Sequence, residues 1–235
     1  MLVVVLVILV VSAALVAGAL WGVFGALGEK LEGFLVALAG GALLVSATSE
    51  LVEPALEATS LLIVIASTLA GALVFFLADK LVDQTLGAES GGGLLAAITL
   101  DGIPENLALG VALIGAEPMQ VAALAGAILL SNLPEAAGGA RDMCKNRMSK
   151  TVVVATWSVT ALILSAAAIV GNVALTGVGQ TPLAAIRCFA AGAVIASLAT
   201  EVFPKAYKEE RELSGIATAI GFVIAIALGQ LGQGA

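Results

Sequence analysis

A chain of 235 residues that is 60% hydrophobic, 11% charged and 4% aromatic, with a mean hydropathy of +1.12, cannot clothe a water-soluble surface. Soluble domains carry about a quarter charged residues. The formal net charge of −7 argues against a nucleic-acid partner, and the expected class is an all-α integral membrane protein.

Apolar runs of about 20 residues match a hydrocarbon core of about 30 Å, and eight of them follow one another along the chain. The first, 2–24, lacks a basic segment before it and is too long for a cleaved leader, so it is read as a retained helix. The others are predicted at 33–52, 60–78, 93–115, 119–138, 151–173, 183–203 and 213–232. The linkers are short, so residues 1–235 are expected to form one transmembrane domain. Cys144 and Cys188 lie apart and form no CxxC pair, and they are read as ordinary small residues.

Orientation follows from the excess of Lys and Arg in cytoplasmic loops. With both termini extracytoplasmic, Lys30, Lys80, Arg141, Lys145, Arg147, Lys150, Lys205, Lys208 and Arg211 fall at cytoplasmic ends, and Arg187 alone does not. The expected location is the plasma membrane, crossed many times.

The second span ends in GGALLVSATSELVEP (40–54) and the seventh in AGAVIASLATEVFP (191–204). Each has a small-residue start, a Ser/Thr-rich middle and a late glutamate. The seventh span is the fifth after the second, so the two copies run in opposite directions. Spans one to three and six to eight are therefore candidates for an inverted repeat around spans four and five, an architecture typical of secondary transporters. The alternative is that small residues recur at helix contacts in any bundle.

The fourth span contains LDGIPENLALG (100–110), where Asp101 and Glu105 share a face at i and i+4. An ionised side chain at membrane depth costs at least roughly 2.5–3.5 kcal/mol, so a buried carboxylate there points to function. Pro104 has no N–H, which leaves the carbonyl of Leu100 without its helical partner beside the carboxylates. The fifth span repeats the device in LSNLPEAAGG: Asn132 and Glu135 at i and i+3, with Pro134 releasing the carbonyl of Leu130. Packed face to face, the two spans would gather three carboxylates around one point, and these cannot all stay ionised in a dry site without a cation or protons.

These segments resemble the ZIP family of divalent metal transporters, whose fourth and fifth helices carry motifs of the form HNxPEG. Here they stand as DGIPEN (101–106) and SNLPEA (131–136), and SATSELVEPALE and SLATEVFPKAYKE resemble the family's second and seventh helices. The resemblance implies an eight-helix bundle that moves zinc, ferrous iron or manganese inward between helices four and five, by an elevator-like shift of one helix group against the other. By position, Asp101 replaces the first motif's histidine and Gly102 its asparagine, while Glu105 stands as the bridging glutamate. Ser131 takes the second histidine's place, with Asn132 and Glu135 retained. The implied metal ligands are Asp101, Glu105, Asn132 and Glu135, with Asn106 beside them. The chain has no histidine, and ATWSVTALIL (155–164) lacks the family's glutamate and proline, which puts a second metal position in doubt.

The metal is then substrate, with no resident cofactor. The remaining partner is lipid, and a homodimer is the candidate assembly. Glu50 and Glu201 are placed near helix ends, in a gate or structural role. Two other classes stay open: an intramembrane enzyme using Asp101 and Glu105 as an acid/base pair, and a metal-binding homologue that does not transport.

Overall fold

The computed structural model describes residues 2–25, 27–86, 91–115 and 121–233, and among these the side chains at 3, 83, 85–86, 91–98, 101 and 232–233 lie outside the description. A run rich in Leu, Val and Ala builds α1 (Leu2–Phe24), which closes at Gly25 with a hydrogen bond to the carbonyl of Trp21. Gly28, in extended backbone, then opens α2 (Glu29–Ala47), with Glu29 and Glu32 in the first turn where the helix dipole favours negative charge. A π turn (Thr48–Val52) carries α2 without a break into α3 (Glu53–Ala58). The chain continues as α4 (Leu61–Leu86), α5 (Gly91–Ala112), α6 (Ala122–Lys145) and α7 (Lys150–Leu175). Next come α8 (Gln180–Ser197), a second π turn (Leu198–Val202), α9 (Phe203–Glu209) and α10 (Ser214–Gln233), and no strand occurs among the described residues.

Six helical runs are long and apolar enough to cross a membrane: Val4–Phe24, Glu29–Ala58, Leu61–Val82, Lys150–Leu175, Gln180–Glu209 and Ser214–Leu231. Their outward sides are apolar, with Leu61, Leu62 and Leu69 on α4 and Ile216, Val223 and Leu231 on α10 well exposed. The chain is all-α, and these helices fit a membrane protein. α6 is as long as its neighbours but carries Ser131, Asn132 and Glu135 mid-way, which lowers its apolarity.

Packing is set by close backbone approach at small residues. A Cβ added to Gly41 of α2 would collide with the carbonyl of Thr218 on α10, and one on Gly221 with that of Leu38. The same arrangement joins α8 to α4, where Gly192 faces the carbonyl of Thr68 and Gly71 that of Phe189. Both pairs are parallel. α1 lies parallel to α6 through Gly18 and Gly22, and α5 lies parallel to α7, with Gly110 against Ala168 and Asn172 donating to the Gly110 carbonyl at 3.0 Å.

The two π turns share one cause. A proline follows each, Pro54 and Pro204, and its ring crowds the carbonyl four residues back. Widening to an i+5 bond removes the clash: the N–H of Glu53 bonds the carbonyl of Thr48, and that of Phe203 the carbonyl of Leu198. Thr48, Ser49 and Thr200 donate their hydroxyls to carbonyls four residues earlier, Leu44, Val45 and Ala196. Glu50 and Glu201 therefore sit inside π turns in the last third of continuous runs of 30 residues. Reading the apolar core alone misses this, because amphipathic turns extend both helices beyond it.

Candidate functional site

Pro104 and Pro134 both lie inside helices that stay α-helical through them. Glu105 is buried at 4% exposure, Asn106, Ser131 and Asn132 are buried, and Glu135 is partly so. Glu105 lies within electrostatic reach of Glu135. The side chain of Asp101 falls outside the described residues. Among those described, no three or more His, Cys, Asp or Glu side chains converge.

The polar neighbours divide into those already engaged and those with an acceptor to spare. Ser131 donates its hydroxyl to Glu135 Oε1 at 2.5 Å and so fixes that carboxylate from one turn below. Asn132 donates Nδ2 to the carbonyl of Val11 at 3.3 Å, which ties α6 to α1 and leaves only its Oδ1 for a ligand. Asn106 donates Nδ2 to the carbonyl of Gly102 at 2.9 Å, while its buried Oδ1 has no hydrogen-bond partner among the described residues. A buried amide oxygen without a donor is unfavourable by roughly 1–3 kcal/mol unless something supplies positive charge. The donors on offer, two carboxylates and amide oxygens, suit a hard divalent cation.

α5 and α6 do not pack face to face along their length, as the motifs alone suggest. α6 packs mainly on α1 and α2, and α5 mainly on α7 and α8. The site is thus a local approach of two helices held by different neighbours. Gly102, standing where the family motif has asparagine, is explained by α7: a Cβ there would strike the buried side chain of Leu164.

Sequence reasoning missed Glu32. Its side chain is 1% exposed, with Oε2 at 3.0 Å from Arg141 Nη1 and Oε1 at 3.0 Å from Lys205 Nζ. Lys205 and Glu32 both act electrostatically on Glu135. The available signal was an acid one turn into an apolar run, beside Gly33. At the other end of the same span, Glu50 feels Glu53 and Arg187. Comparison with known proteins finds no matching family model and no matching curated relative.

Proposed function

We propose that the chain is a divalent-metal permease of the ZIP type, with eight crossings and both termini extracytoplasmic, that admits manganese, ferrous iron or zinc between α5 and α6. One observation carries this reading: Glu105, buried, and Glu135, partly buried, stand on proline-bearing helices within electrostatic reach of one another. Such a pair must hold a proton or a cation between them. Glu105 and Glu135 would bind the ion, Asp101 and the Oδ1 atoms of Asn106 and Asn132 would complete an oxygen shell, and Ser131 would orient Glu135.

An inverted repeat of spans one to three and six to eight is supported by the paired π turns and by the matching glycine contacts of α2 with α10 and α8 with α4. In that arrangement, one helix group slides against the other. A second reading, an intramembrane enzyme, draws on the Ser131–Glu135 hydrogen bond, which has the form of a base beside a hydroxyl.

Uptake of manganese into proteoliposomes holding the purified protein separates these readings. Saturable flux above empty vesicles supports transport, and its absence together with retained metal binding would leave a non-transporting binder. In a Cys144→Ser, Cys188→Ser background in intact cells, a thiol at Arg147→Cys should label only from the cytoplasm and one at Thr59→Cys only from outside.

A further inference from the structure

We infer that Glu32, Arg141 and Lys205 form a charge-latched gate on the cytoplasmic side of the path. The inference rests on the transport reading above, but its test is read without metal. Glu32 stands on the first turn of α2 and binds Arg141 of α6 and Lys205 of α9, each at 3.0 Å, so one carboxylate fastens three separate spans.

The backbone is shaped around it. A side chain at Gly138 of α6 would collide with the Glu32 carboxylate, and a Cβ at Gly33 would come within 2.7 Å of the backbone nitrogen of Glu210, just past α9. Arg141 also donates to the carbonyl of Leu27 at 3.3 Å, which holds the α1–α2 turn in the same knot. Outside the latch lies a cavity of about 550 Å³ lined by Glu29, Asp142, Lys145 and Glu209, with Arg141 and Lys205 in its wall. Lys205 faces both ways: it lines this vestibule and lies within electrostatic reach of Glu135.

Well-packed apolar side chains would join three helices at least as firmly as ions whose desolvation offsets their attraction, so the triad is poorly explained as a stabiliser. What ions add is a contact that water or a competing cation can undo. With both oxygens taken, Glu32 offers nothing to a metal leaving Glu135, and the path is shut. Withdrawal of Lys205 with α9, which the π turn at Leu198–Val202 joins to α8, uncovers Oε1 as the next acceptor and opens the vestibule.

The test uses full-length protein with Cys144→Ser and Cys188→Ser and a reporter thiol at Ser131→Cys, reconstituted without divalent metal. The readout is the rate of modification by a small cationic thiosulfonate added at the face that carries Arg147. Glu32→Gln and Lys205→Met should each raise that rate at least tenfold, whereas Lys205→Arg should keep it slow. Unchanged rates in both neutralised variants, or equal acceleration by Lys205→Arg, overturn the gate. If Glu32→Gln does not yield monodisperse protein, the Lys205→Met and Lys205→Arg pair decides alone, since Glu32 there keeps Arg141. Accelerated labelling, together with no manganese flux by the protein that keeps Ser131, would keep the gate and remove the metal assignment, so the two failures are distinguishable.

Discussion

Glu32 and Glu105 are both buried glutamates on long helices, yet their surroundings are opposite. Glu32 holds two cations at 3.0 Å, while Glu105 lies within electrostatic reach of a second carboxylate. The contrast teaches where fixed positive charge is supplied and where it is withheld. A carboxylate with built-in cations has its charge compensated by the protein itself while those contacts are closed. A carboxylate set against another is neutral only when something mobile arrives, which is the condition for a transport site.

The largest effect expected from this contrast is on uptake. Losing an outer-shell partner of a metal ligand typically costs 10–100-fold, so loss of the bridging ligand in Glu105→Ala should lower manganese uptake by about 100-fold or more at equal expression. Glu50→Ala, at the Arg187 end, should leave most of it. Equal losses from both would erase the distinction between the middle of the bundle and its ends.

Stability sharpens the same contrast with a smaller signal. Removing one partner of a buried ion pair costs roughly 3–5 kcal/mol, and because Arg141 and Lys205 are partly exposed, Glu32→Gln should sit near the low end, lowering Tm by about 5–10 °C. Glu105→Gln removes repulsion and should hold or raise Tm in metal-free detergent solution. Added manganese should stabilise the wild type, because it binds only the folded state, and should do little for Glu105→Gln. A fall in Tm from both substitutions would mean that Glu105 is already neutralised within the protein.

The smallest expected effect concerns the ion. High zinc affinity rests largely on nitrogen and sulfur ligands, and this site offers oxygen. Manganese should therefore displace zinc at concentrations within about tenfold, and Asp101→His should shift preference towards zinc. Zinc held far more tightly by the wild type would point to a ligand outside this set, with buried Cys188 the first to examine.

Much of this was legible in the chain before folding. Composition and hydropathy require apolar helices, because a bilayer leaves no other way to satisfy backbone hydrogen bonds in a chain without barrel-like alternation. Prolines followed by glutamates at 104–105 and 134–135 mark polar points with a missing backbone donor in two helices, and the likeness of 40–54 to 191–204 foreshadows the paired π turns. These are local signals, fixed by helical period and by the missing proline N–H.

Tertiary packing alone decided the rest. Asn132 reads as a ligand in the motif, but its amide nitrogen reaches Val11 on α1. Arg141 and Lys205 read as topology signals, but they converge on Glu32 from spans far apart in sequence. Whether a buried charge meets a cation or another carboxylate depends on which helices approach, and that approach is set by glycines against distant carbonyls, as at Gly41 with Thr218 and Gly192 with Thr68. Helical period places a side chain on a face, and only the packed neighbour determines what that face meets.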